Sequence, residues 1–201
     1  MEPKRSFGVV VAGVLLLFAS GNVYADTKCS KHKGCNGELK EVLKTGKEAS
    51  KTLLKTLGGN MKKHMKAGGA VEALSFCSVN AAGLTAEVSA KFGEKVDVKR
   101  ITLKPRNPAN MAEGSEKKIL EALDTLKSNG VKMPRYLLQK VESGYKYYKP
   151  LVINKRVCLK CHGDSIDKDL AAEIKKRYPT DMATGYRMGD LRGAIVVTIE
   201  R

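Results

Sequence analysis

The chain has 201 residues, 42% of them hydrophobic and 29% charged, which suits one domain of ordinary size with an added N-terminal segment. Its 37 basic residues against 21 acidic ones give a formal charge of +16. A surface of that sign favours acidic proteins or anionic membrane surfaces as partners; nucleic acid is set aside, because the chain opens on an export segment and carries no nucleic-acid-binding motif.

Residues 1–25 read as a secretory signal. Lys4 and Arg5 give a basic start, Phe7 to Ala19 is apolar, and Val23-Tyr24-Ala25 offers a small-residue cleavage site before Asp26. The apolar run is shorter than the roughly 20 residues that a bilayer crossing takes. A cleaved signal and a periplasmic address are therefore expected, with an uncleaved N-terminal anchor as the alternative. Cleavage lowers the charge by only one.

Residues 26–67 form a polar leader, holding Cys29 and Cys35, and then a lysine-rich amphipathic helix. From Glu38 to Leu57, Leu39, Val42, Leu43, Leu53, Leu54 and Leu57 take one side, and Lys40, Lys44, Lys47, Lys51 and Lys55 another. The stripe is either a solvated face or a docking face for an acidic partner or a membrane surface. Gly58-Gly59 is the expected break. A second helix is predicted from Ala70 to about Phe92, with Ala70, Leu74, Cys77, Ala81, Leu84 and Val88 along one seam.

After Gly93 the period shortens. Val96, Val98, Ile101 and Leu103 predict a strand that ends in the turn-rich Pro105-Arg106-Asn107-Pro108. Ser115 caps a third helix with Ile119, Leu120, Leu123 and Leu126, and Gly130 ends it. Tyr136–Val141 and Tyr145–Ile153 read as a hairpin around Glu142-Ser143-Gly144, Asp167–Arg177 as a short helix, and residues 193–199 as a buried strand. The sequence of elements gives an α+β domain with an antiparallel sheet.

Cys158-Leu159-Lys160-Cys161-His162 is a C-x-x-C-H motif, the signature of covalent haem attachment. Two thiols three positions apart can each add to a haem vinyl group, and the next residue presents an imidazole to the iron. A redox dithiol normally opens a helix in a βαβ setting that this chain lacks, and a zinc site needs a second Cys/His pair at matching spacing. One haem c is therefore expected, on Cys158 and Cys161 with His162 as an iron ligand. For the other side of the iron, the candidates are His32, His64, Met61, Met65, Met111, Met133, Met182, Met188 and Cys77. Cys77 differs in lying mid-seam on a buried helix face, where a cysteine also serves as a small core residue.

Four separated blocks match a known family in order: Ala70-Val71-Glu72-Ala73-Leu74-Ser75-Phe76-Cys77, the stretch from Leu103 to Asn110, Cys158 to Gly163, and Ala183 to Ile195. Residues 68–201 thereby resemble the exported mono-haem c-type cytochromes and haem sensors of PAS-like fold, long catalogued as a domain of unknown function. The resemblance implies a PAS-like antiparallel sheet with flanking helices, here preceded by two N-terminal helices. It also implies His162 and Cys77 as the two axial ligands. Ser75-Phe76 departs from the smaller aliphatic residues expected there.

Arg100, Arg106 and Tyr147 are the expected haem-pocket residues, since Arg forks suit propionate carboxylates, although Arg106 in its loop could equally brace a turn. With Cys77 on iron, pairing of Cys29 with Cys35 accounts for the odd cysteine count; Cys29-x-x-His32-x-x-Cys35 has no further ligand to make a metal site. The reading is a redox or gas sensor that passes its signal to a separate partner. An electron-transfer cytochrome comes second and a haem enzyme such as a peroxidase third, because six-coordinate iron leaves no open position. No enzymatic activity is expected. The helical pattern is too short to set an oligomeric state.

Overall fold

Residues 23–25 and 37–201 are described in the computed structural model of the chain. Helix α1 (Gly37–Ala90), if straight, would extend about 80 Å at 1.5 Å per residue. It instead reverses at Gly68 (φ −147°, ψ 19°) and Gly69 (φ 77°, ψ −159°), which are not helical. Arms 37–67 and 70–90 lie back to back across this turn. On the first arm His64 bonds Glu72 of the second at 2.8 Å and stacks on Phe76 with ring centroids 3.9 Å apart. Val42 and Val88, from the far ends of the arms, share one core cluster. The expected break at Gly58-Gly59 is corrected: both residues stay helical and exposed. Packing of Leu53 and Leu57 on the core carries the helix through a pair that costs about 1 kcal/mol per glycine. Only the later pair supplies the positive φ that a reversal needs.

The sheet has the order β1-β3-β4-β5-β2, formed by β1 (Val23–Ala25), β2 (Val96–Ile101), β3 (Leu137–Val141), β4 (Gly144–Val152) and β5 (Leu191–Glu200). Every neighbouring pair is antiparallel, which gives the α+β, PAS-like arrangement expected of the sequence. Strand β1 lies within the expected signal segment, so processing after Ala25 would leave β3 as the sheet edge. Strand β5 sits between β4 and β2 and is buried on both faces, hence its unbroken apolar run. Ile195, Val197 and Ile199 pack with Val98, Tyr147 and α1 on one face. Ala194 and Val196 pack on the other with Tyr148 and with Ile119, Leu120 and Leu123 of α2 (Gly114–Ser128). Beyond β4 come α3 (Arg156–His162) and α4 (Lys168–Arg177), and Leu170 and Ile174 of α4 pack on Leu74 of α1.

Glu116 pins α2 to the sheet. Its buried carboxylate accepts from Lys146 Nζ at 2.7 Å and pairs with Lys99 Nζ at 3.0 Å. Burial alone would raise this carboxyl, but the hydrogen bonds and charges of the two lysines outweigh it and hold it below the usual glutamate value. The stabilisation is therefore complete above the unfolded glutamate pKa and is lost as pH falls through the folded value. Glu116→Gln is expected to cost about 1.5–3 kcal/mol at pH 7. In urea titrations the gap from wild type should close as pH drops below about 4.

Candidate functional site

Helix α3 carries Cys158, Cys161 and His162, whose spacing of three and four places them on one side of a two-turn helix. It stops at Gly163, whose N–H donates to the Leu159 carbonyl at 2.9 Å. A Cβ at this position would come within 2.6 Å of that same oxygen, so the cap admits glycine alone. The loop 183–186 is laced to the helix end: Gly185 N–H donates to the Gly163 carbonyl at 2.8 Å and Tyr186 N–H to the His162 carbonyl at 2.9 Å.

His162 is held through its ring as well. Nδ1 lies 2.8 Å from the carbonyl oxygen of Ala183, which can only accept, so Nδ1 carries the hydrogen and Nε2 keeps its lone pair. Burial, followed by the charges of Arg192 and Arg106, pushes the imidazole pKa down to about 3, so the ring is neutral throughout the neutral range. Tyr186 meets the imidazole edge-on, with centroids 6.2 Å apart. Lys104 and Arg192 in turn sit over the Tyr186 ring, at 4.8 and 5.4 Å.

Arg106 closes the other flank. Its Nε and Nη2 bond the two carboxylate oxygens of Asp181 at 3.1 and 3.0 Å, and Nη2 also donates to the Cys161 carbonyl at 2.6 Å. Nη2 thus ties the end of α3 to Asp181, a bracing role that its sequence position left open beside propionate binding.

These residues open onto a cavity of ≈ 290 Å³ inside a cleft enclosing ≈ 1080 Å³ of empty space. Helix α1 lines it as well, contributing Cys77 from the second arm and Met61 and Met65 from the first. Arg100 of β2 and Tyr178, after α4, complete the wall. Arg100 Nε is buried without a hydrogen-bond partner, an orphan donor that an anionic group in the cleft would satisfy. Burial pushes the Cys77 thiol up, and the Arg100 charge works against that. Two thiols, one imidazole lone pair, a third sulfur and an unpaired guanidinium edge around one cleft make a donor set that fits a haem with carboxylate substituents.

Of the residues singled out in the sequence, Cys77, Arg100, Arg106, Cys158, Cys161 and His162 all line this cleft. Tyr147 does not: it is buried under the first arm of α1, stacked on Tyr136 and close against Gly46. Among the other ligand candidates, His64 is engaged by Glu72 and Phe76, Met133 packs on the α2 side of the sheet, and Met111, Met182 and Met188 are exposed. His32, Cys29 and Cys35 lie outside the described residues. Asp181, Tyr178, Tyr186 and Arg192 were missed as site residues. The last two sit in a block that resembles the family, but no spacing pattern marks their roles.

The Tll0287-like family model (Tll0287) matches residues 36–200. The fold is similar to the crystal structure of the cyanobacterial heme-protein Tll0287, with a TM-score of 0.57 and 23% identity over 83% of this chain and 97% of that one. No curated protein matches the chain.

The Arg106–Asp181 pair is nearly buried, with side chains 11% and 7% exposed, so removing one partner strands the other. Asp181→Ala is expected to lower unfolding free energy by about 3–5 kcal/mol in chemical denaturation. An exposed carboxylate such as Asp164, changed in the same way, should cost under about 0.5 kcal/mol.

Proposed function

The chain belongs to the Tll0287-like family, and on that footing we propose that it is an exported haem protein. One haem c is linked to Cys158 and Cys161, with His162 and Cys77 as axial ligands and redox sensing as the role. The observation that carries the reading is the shared cleft, where the attachment motif on α3 faces Cys77 on α1. Bound there, the haem supplies a one-electron iron couple. The protein's own contribution begins with orientation: the Ala183 carbonyl holds the His162 ring with Nε2 free. Arg106 and Asp181 keep the end of α3 from fraying. Arg100 offers its unpaired Nε to a propionate or to the thiolate.

A thiolate donates charge to iron and favours the ferric state, so this ligand pair sets a low reduction potential. A Cys77 thiolate would hold ferric iron more strongly than ferrous, and a ligand set that differs between oxidation states is what a sensor needs. The N-terminal residues support export to the periplasm through a signal peptide. Electron transfer to an acidic redox partner is the second reading, favoured by the +16 charge, which would steer such an encounter. Turnover of a substrate would need an open iron position, which His/Cys ligation does not leave.

Two outcomes test this reading. Changing Cys158 and Cys161 together to Ala should leave the polypeptide without haem on a denaturing gel, where the wild-type chain stains for it; staining of the double variant would end the covalent assignment. Cys77→Ser should abolish the thiolate signature in ferric absorption and electron paramagnetic resonance and raise the reduction potential. A wild-type protein whose thiolate signature persists unchanged after reduction is a carrier and not a sensor.

A further inference from the structure

Met61 and Met65 stand one helical turn apart near the tip of the α1 hairpin, and both line the cleft that Cys77 faces. In a straight helix Met61 and Cys77 would be about 24 Å apart. The reversal at Gly68 and Gly69 removes that separation. The contacts of His64 with Glu72 and Phe76 fix the register of the two arms. Met61 and Cys77 stand nearly the same number of residues from the turn, so they are level across the hairpin, with Met65 closer to the tip. Two soft sulfur donors thus line the same cleft as His162, on separate helical arms joined by glycines.

We propose that Met61 is the replacement ligand: when the iron is reduced, its thioether takes the position that Cys77 leaves. This rests on the proposed His162/Cys77 ligation of the ferric state. An external one-electron donor protein supplies the electron that converts ferric to ferrous iron. The iron–sulfur bond to Cys77 breaks, its electron pair stays on sulfur, and the thiolate takes a proton from solvent. A lone pair of the Met61 sulfur forms the new bond. A neutral thioether suits ferrous iron as a charged thiolate suits ferric, and reoxidation reverses each change. His64 is no competitor, because its ring is clasped between Glu72 and Phe76. The arms need no refolding for the exchange. Met61 is half-buried on the cleft wall and unbranched, so its side chain has the freedom to reach inward.

The test uses the full-length haem-loaded protein reduced with dithionite. Wild type should be six-coordinate and low-spin when ferrous, without the thiolate signature, and should bind carbon monoxide slowly. Met61→Leu, close in volume, should keep the ferric thiolate spectrum intact, which also reports correct folding. Once reduced it should turn five-coordinate and high-spin and bind carbon monoxide about tenfold faster or more, since the binding-competent fraction is no longer held down. Met65→Leu should behave as wild type. An unchanged ferrous spectrum and carbon monoxide rate in Met61→Leu overturns the proposal, as does the same change appearing in Met65→Leu instead. A wild-type ferric spectrum without thiolate character would instead sink the Cys77 ligation beneath it, so the two failures are distinguishable.

Discussion

Gly68 and Gly69 turn a helix back on itself, and the cleft exists because of that turn. An α-helix rises steadily along one axis, so residues at its start and middle cannot close the same small space unless the backbone leaves the helical region. Gly69 does so at φ 77°, a conformation that costs any residue with a Cβ. The first arm can then lie over Tyr147 and the lower half of the sheet, while the second arm covers Val98 and the path to α3. Without the reversal Met61 and Met65 could not line the same cleft as Cys77.

The second dependence is electrostatic. Three arginines, Arg100, Arg106 and Arg192, border one cleft, which would be unfavourable if each were left alone. Arg106 is neutralised by Asp181, and Arg192 donates to the Thr102 hydroxyl at 2.8 Å and lies over Tyr186. Arg100 alone keeps a buried nitrogen unpaired. Arg192 and Arg106, with burial, keep His162 neutral, while Arg100 is left for an anion, so the charges of the cleft divide between its ligand side and its anion-binding side.

Much of this was legible in the chain because it is written locally. The 3.6-residue seam through Leu74, Cys77 and Ala81 marked a helix with one buried side, which the structure turns to the cleft, and the unbroken run at 193–199 marked a buried strand. The C-x-x-C-H motif marked the candidate site, although the short helix α3 that carries it was not foreseen. What escaped has no local signature. Gly58-Gly59 and Gly68-Gly69 look equivalent in sequence; long-range packing of Leu53 and Leu57 decides which pair bends. Tyr147 and Arg100 share a sheet face, since Val197 pairs with Tyr147 and Ile195 with Arg100. Strand parity reports the face, but not which arm of a distant hairpin covers it. Asp181 meets Arg106 across a long stretch of chain and belongs to no motif.

Strand β5, the last element in chain order, occupies the middle of the sheet between β4 and β2. Its pairing with β2 joins residues about a hundred positions apart, so the central hydrogen bonds form only after most of the polypeptide is available. The core clusters on the two faces of the sheet both take residues from it, and neither can close early. A chain built this way stays open late. Helix α3 likewise waits late for its partner loop 183–186, and the His162 ring for the Ala183 carbonyl that fixes its orientation.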